Sequence, residues 1–240
     1  MIRGFKFIRQ EGEPVTIKAV IFDLDGTITS FNVDYMTIRA EVRSLLMSAG
    51  LPASVLSTNE SIFEMLKKAE IFVKNTGKPR KTFDDVREKA LGIAEKYEIE
   101  AARSTSLLSG VEETLKTVKR MNLKIGLCTI NGERSTNYIL KRFKIAEYFD
   151  AVTPRNKVKY VKPNTEHLEA TLKTLEVNPE EAILVGDGTR DMQCAHELKV
   201  VSIGLPTGLS TEKELIASGA NYFITSITDL PTLIEAINKT

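Results

Sequence analysis

Cysteine is scarce in this sequence. There are two in 240 residues, Cys128 and Cys194, too few for a disulfide framework. Both lie in apolar stretches, which reads as two buried thiols in a reducing cytoplasm. Zinc is not expected from them, because Cys194-x-His196 is too tight for usual ligand spacing and His167 falls within a helical pattern. Cys128, inside an apolar run, reads as a small buried hydrophobe rather than a nucleophile. An excess of either charge is also lacking: 33 Lys and Arg stand against 32 Asp and Glu, a net of +1. That balance gives no electrostatic reason for a nucleic-acid or membrane partner. No apolar run reaches the length of a signal peptide or a membrane span, so neither is expected. Internal repeats and low-complexity tracts are absent too.

What is present is ordinary globular material, 42% hydrophobic and 27% charged. A chain of this length buries about 70% of its surface, ample for a core without disulfides. Short apolar runs rich in β-branched residues predict strands at 17–22, 124–129, 148–152, 181–186, 200–203 and 222–225. Amphipathic stretches at 133–143, 165–175, 191–198 and 211–217 lie between them. Another helix follows Ser109-Gly-Val-Glu112, a capping-box pattern, with Val111, Leu115 and Val118 on one stripe; Thr211 and Glu214 form a second such box. Strands alternating with helices predict a doubly wound parallel α/β sheet of Rossmann-like form. Phe5 and Phe7 alternate with polar neighbours ahead of a Gly12-Glu13-Pro14 turn, so the first sixteen residues are expected to add an edge strand, with a loose extension as the alternative.

One stretch breaks the alternation. Between about Asn32 and Ser104 no strand is read. Tyr35, Ile38, Val42, Leu45 and Ala49 share one helical face, Ile62, Met65, Ala69 and Phe72 another, and Val86, Ala90, Ile93 and Tyr97 a third. Thr82, with Asp85 three residues on, is a candidate cap for that third helix. An insertion of ~75 residues is too long for a loop and predicts a small all-helical domain. The division is therefore 1–31 with 105–240 for the α/β core and 32–104 for the helical domain. The run Lys74, Lys78, Arg80 and Lys81 reads as a solvated basic loop, with contact to an anionic substrate as the alternative.

The chemistry concentrates at strand ends. Asp23 and Asp25 close the first strand, at the edge where open α/β sheets bind ligands. Alternation sends both side chains to one side, and Gly26 lets the chain turn away. Spacing alone also fits an Asp-rich turn. Asp187, in Gly186-Asp-Gly-Thr-Arg-Asp191, ends another apolar strand, with Asp191 about one helical turn later. Three or four carboxylates converging on one edge make a hard-cation site, and oxygen ligands favour Mg²⁺. Thr129 ends the second strand and points at the same edge. Lys162, fixed by Pro163 in extended backbone, offers a cation for a phosphate. Taken alone it reads as a solvated loop lysine, since Lys157 and Lys159 are close.

Together these residues resemble the haloacid dehalogenase superfamily of phosphotransferases. Asp23-x-Asp25-Gly-Thr-Ile, Thr129, Lys162-Pro163 and Gly186-Asp187-x-x-x-Asp191 occur in that family's order. So do Leu108-Ser-Gly-Val, Glu147-Tyr-Phe-Asp150 and Val177-Asn-Pro-Glu-Glu. The likeness runs from about Ile17 to Gly204, is nearest to phosphoglycolate-phosphatase-like members, and puts the insertion where the family has a helical cap. It implies that Asp23 is the nucleophile and forms an aspartyl-phosphate, and that Asp25 is the acid/base. Mg²⁺ would lie on Asp23, Asp187 and the main-chain carbonyl of Asp25, with Asp191 a ligand or a partner behind one. Thr129 and Lys162 would bind the phosphoryl oxygens. Two positions depart from the pattern. Asn follows Thr129 at one remove, as Asn131, and Lys199 stands where relatives often have Gly.

The expected function is a Mg²⁺-dependent phosphatase acting on a small phosphorylated metabolite in the cytoplasm, without nucleic-acid or membrane partners. A mutase returning the phosphoryl group to substrate, as in phosphoglucomutase-like members, is the nearest rival. A carbon–halogen hydrolase would not need Asp25 or the metal. A non-catalytic phospho-ligand module would be expected to lack a motif carboxylate, and none is missing. A receiver-like domain fits neither the insertion nor the Asp23-x-Asp25 spacing.

Overall fold

Six short apolar runs form strands: β1 (Ala19–Phe22), β2 (Lys124–Thr129), β3 (Ala151–Pro154), β4 (Ala182–Gly186), β5 (Val201–Gly204) and β6 (Tyr222–Phe223). The computed structural model describes residues 16–77 and 80–239. The edge strand expected in the first sixteen residues falls almost wholly outside them, as does Lys78 of the basic run. The strands make one parallel sheet in the order β3-β2-β1-β4-β5-β6, the expected doubly wound architecture.

The chain divides into two units. One takes the chain up to Phe31 and from Thr105 onward; the other is Asn32–Ser104. The second holds α1 (Tyr35–Ser48), α2 (Ile62–Asn75) and α3 (Arg80–Ser104). Its own core joins Ile38, Val42 and Leu46 to Met65, Ala69 and Ala90. The first unit carries α4 (Val111–Arg120), α5 (Glu133–Arg142), α6 (Thr165–Leu175), α7 (Thr189–Leu198), α8 (Glu212–Ala217) and α9 (Leu230–Ile237). Strand alternation sorts its core. Ala19, Ile21, Cys128 and Leu184 pack with Leu168, Leu172 and Ala195 of α6 and α7. The intervening Val20, Phe22, Ile125, Leu127, Ile183 and Val185 are fully buried and point to the opposite face. Burial on both faces is why these strands read as continuous apolar runs.

Several boundaries differ from expectation. Tyr148 closes a 3₁₀ turn (Ala146–Tyr148), and β3 instead starts at Ala151 and reaches Pro154. An edge strand tolerates that proline, which has no N–H to donate. Thr82 is the third residue of α3, not its cap. The stripe Leu230, Leu233, Ile234 and Ile237 forms α9, a helix absent from the expectations. Lys199 ends α7 at φ +62, a left-handed position that explains the family's preference for glycine there. The Thr211 box forms as expected. The Ser109 box does not: Gly110, at φ +81, is the N-cap of α4 and makes no side-chain cap bond.

A Cβ on Gly110 would also lie 2.2 Å from Thr228 Cγ2. Gly110→Ala is therefore expected to cost about 1–3 kcal/mol and to lower Tm by roughly 2–4 °C per kcal/mol. Thermal melts should show Thr228→Ser, which removes the opposing methyl, recovering part of the loss. Unchanged stability in Gly110→Ala would contradict the overlap.

Candidate active site

The site forms where the strand order reverses. From β1 the chain winds outward through β2 and β3, then returns to place β4 on the other side of β1. The crevice beyond the strands' carboxyl ends opens at such a point. β1 and β4 deliver Asp23 and Asp187 there side by side, with the Asp23 amide donating to the Val185 carbonyl at 3.0 Å.

After β1 the side chain of Leu24 turns into the core, so Asp23 and Asp25 flank it on the other side. The amides of Thr27, Ile28 and Thr29 then converge on the Leu24 carbonyl at 3.3, 2.8 and 2.9 Å, one tight turn. Gly26 permits it at φ +81. Past the turn, residues 28–30 pair with the returning chain. Ser30 N donates to Ser106 O at 2.9 Å and Leu108 N to Ile28 O at 3.0 Å.

Lys162 is 2% exposed, which overturns the reading of it as a solvated loop lysine. Its ammonium donates to Asp23 Oδ1 at 2.9 Å, Asp191 Oδ1 at 2.5 Å and the Cys128 carbonyl at 2.6 Å. All three N–H groups are thus used. Its backbone amide donates to His167 Nδ1 at 3.4 Å, and His167 Nε2 meets the Thr153 carbonyl at 3.0 Å. That pattern requires a neutral imidazole protonated on Nε2. Asp191 also accepts from Gly188 N at 3.2 Å through Oδ2, tying its carboxylate to the start of α7.

Asp23, Asp187 and Asp191 each present an oxygen within 4.8 Å of the others. Asp187 accepts from Thr27 Oγ1 at 3.4 Å, and its carboxylate fills the space where a Cβ on Gly26 or Gly208 would lie. Thr207 Oγ1 donates to the Gly26 carbonyl and holds that second loop in place. Asp25 stands apart from the cluster. Its Oδ1 accepts from Thr29 Oγ1 at 3.2 Å and its Oδ2 from Asn131 Nδ2 at 2.7 Å. Thr129, buried at the end of β2, accepts the Asn131 amide on Oγ1 at 3.1 Å.

The electrostatics are unbalanced. Among the described residues, Lys162 is ion-paired with Asp23 and Asp191, while Asp187 adds a third carboxylate to the cluster. Burial raises the Asp23 pKa, Lys162 lowers it and Asp191 raises it again, leaving it above the ordinary value. Burial, then Asp23 and Asp191, push Asp187 up to about 8. Burial disfavours the charge on Lys162, but Asp191 and Asp23 outweigh that and hold it well above its usual value. A buried oxygen-donor cluster short of positive charge fits a hard divalent cation. The Cys128 thiol is pushed by burial to about 12, so it is no nucleophile. Thr29, Asn131, Thr207, Gly208 and His167 carry structural parts that sequence reading did not assign. Only Asn131 had a signal, its offset from Thr129.

Comparison with known proteins follows the same lines. Residues 20–205 match the family model described as haloacid dehalogenase-like hydrolase. The pyrophosphatase PpaX of Bacillus thuringiensis is 25% identical over 229 residues, 93% of this chain and 99% of the relative. The PpaX of Bacillus mycoides is 29% identical over 128 residues, 53% of this chain and 60% of the relative. Among solved structures, a β-phosphoglucomutase of Clostridium difficile superposes with TM-score 0.65 at 23% identity, over 93% of this chain and 98% of that one. A predicted phosphoglycolate phosphatase of Haemophilus somnus superposes with TM-score 0.60 at 18% identity, over 90% and 97%. At these identities the two structures speak for the fold alone.

Two stability measurements test the charge arrangement. Without metal, the raised Asp187 pKa makes the folded state bind a proton that the unfolded state releases near 3.8. Stability should therefore fall as pH rises from about 4 to 8. At pH 8 in EDTA, urea unfolding should find Asp187→Asn more stable than wild type by about 1–3 kcal/mol, and added Mg²⁺ should favour the wild type. His167 runs the other way. Burial, then Lys162, depress its pKa from 6.5 to about 3, so its contribution is full above pH 6.5 and declines as pH falls towards 3. Relative to His167→Gln, the wild type should lose about 1.5 kcal/mol between pH 6.5 and 5. A difference independent of pH would mean that the imidazole titrates normally.

Proposed function

This chain belongs to the haloacid dehalogenase-like hydrolases, and from that premise we propose that it is a Mg²⁺-dependent phosphatase of small phosphomonoester metabolites. The observation that carries the reading is two nearby carboxylates in different environments. Asp23 is ion-paired to Lys162 within the acidic cluster, while Asp25 is held outside it by Thr29 and Asn131. Such divergence suits a nucleophile and an acid/base.

Asp23 attacks phosphorus, and the bond to the leaving oxygen breaks as Asp25 gives that oxygen its proton. Water then attacks the aspartyl-phosphate, Asp25 takes its proton, and phosphate departs from a restored Asp23. Thr129 and Lys162 are assigned the phosphoryl oxygens, Lys162 by redirecting to them the N–H it gives Asp23 before that carboxylate attacks. Asp23, Asp187 and the Asp25 main-chain carbonyl would hold Mg²⁺, with Asp191 fixing Lys162 beside them. When bound, the ion supplies charge neutralisation to carboxylates and phosphoryl oxygens.

The helical unit Asn32–Ser104 is assigned the part of a cap that selects substrate and excludes water. Its insertion directly after the Asp23–Asp25 turn supports that part. Buried free thiols at Cys128 and Cys194 support a cytoplasmic setting. Among the described residues no helix is long and apolar enough to cross a membrane.

The test is hydrolysis of p-nitrophenyl phosphate and a panel of metabolite phosphomonoesters. Inorganic pyrophosphate is the contrasting substrate suggested by the relatives' name. Turnover should require Mg²⁺ and stop in EDTA. Asp23→Asn should abolish it, and Asp25→Asn should lower it by about 10²–10⁴-fold. Preference for pyrophosphate would replace the phosphomonoester assignment, and return of the phosphoryl group to a substrate hydroxyl would mark a mutase. Metal-independent turnover would overturn the reading.

A further inference from the structure

Asn131 is 1% exposed and carries a polar atom without a partner. Its Nδ2 donates to Asp25 Oδ2 at 2.7 Å. Its Oδ1 is buried and accepts no hydrogen bond from the described residues. An unpaired buried amide oxygen is destabilising, so the orientation needs a reason. Flipping the amide would set its oxygen against the carboxylate of Asp25, acceptor against acceptor. The arrangement leaves Oδ1 unpaired and keeps the N–H on Asp25.

The main chain around Asn131 is pinned independently. Its N–H donates to Thr129 Oγ1 at 3.1 Å, and its carbonyl accepts from Arg155 N at 3.1 Å. Arg155 Nη1 reaches the preceding Ile130 carbonyl at 3.1 Å, and Asn156 Oδ1 accepts from Glu133 N at 2.8 Å. The loop between β2 and α5 is thus held by residues just past β3. On the other side of Asp25, Thr29 Oγ1 occupies Oδ1 at 3.2 Å. Each carboxylate oxygen therefore has a fixed donor, and the two together set the plane of the group.

We propose that Asn131 is the positioning residue for Asp25, aiming its carboxyl at the leaving oxygen of the substrate. The role rests on the phosphatase reading above. Asn131 itself neither gives nor takes a proton. It acts through the orientation of Asp25 while the bond from phosphorus to the leaving oxygen breaks and that oxygen receives the proton of Asp25. Correct aim matters in proportion to the basicity of that oxygen. A p-nitrophenolate departs without a proton, whereas a phenolate of higher basicity needs one.

The experiment compares kcat/KM for ring-substituted phenyl phosphates of similar size in wild type, Asn131→Ala and Asn131→Asp, with thermal melts to establish folding. The wild type should show a shallow dependence on leaving-group basicity. Asn131→Ala should lose roughly tenfold or more on phenyl phosphate and much less on p-nitrophenyl phosphate, steepening the dependence. Asn131→Asp matches the shape but has no N–H to donate, so it should be at least as impaired. A packing role would be satisfied by Asp, and its loss in Asn131→Ala would lower all esters equally. An unchanged slope in folded Asn131→Ala, or a wild-type slope in Asn131→Asp, overturns the proposal while leaving the phosphatase reading intact. If neither variant folds, Asn131→Ser, which fits the space without reaching Asp25, decides the slope. Absence of Mg²⁺-dependent hydrolysis by the wild type overturns the phosphatase reading and this role with it.

Discussion

The site depends on a shortage of positive charge. Asp23, Asp187 and Asp191 converge around a single buried ammonium. One lysine cannot neutralise three buried carboxylates: burial first, and the neighbouring carboxylates after it, hold Asp23 and Asp187 above their ordinary pKa. Buried like charges persist only where something else repays the cost. Here the imbalance leaves the protein poised for a cation, and in the proposed reaction for the charge that develops on a phosphoryl group. Lys162 sets the geometry by using its third N–H on the main chain at Cys128, which anchors it to β2.

That lysine can sit among the acids because the sheet brings four distant segments together. β1 and β4 are neighbours, although about 160 residues separate them. The loop before α6 crosses the same edge, and His167 in the first turn of α6 fastens the backbone of Lys162 from behind. Its second nitrogen is bound to Thr153 in β3, so the lysine is tied to two strands besides the carboxylates it pairs with. Rigid supports of this kind suit catalysis by positioning.

Asp25 lies two residues from Asp23 yet belongs to another environment. The turn centred on Leu24 sends it towards Thr29 and Asn131, outside the acidic cluster. The helical unit Asn32–Ser104 has a core of its own.

Much of this was legible in one dimension. Period-2 and period-3.6 patterns placed the strands and most helices, because burial on a face imposes its spacing on the chain. The length of the strandless segment marked a separate helical unit. The strand-end positions of Asp23, Asp25, Thr129 and Asp187 pointed to one edge, because a parallel sheet puts all its carboxyl ends there. Lys162 taken alone read as a solvated loop residue and joined the site only through its likeness to a family motif, and Asn131 read only as an irregular spacing. Gly110 displaced a cap that Ser109 advertised, because a left-handed backbone and the nearby Thr228 methyl override a local motif. The sequence by itself determined most element types, the doubly wound class and the groups at the strand ends, since these follow from local patterning. Only the tertiary structure decided which carboxylates share a lysine, which one is set apart and which amide holds it. Those facts are distances between residues up to about 160 positions apart, and no local spacing encodes them.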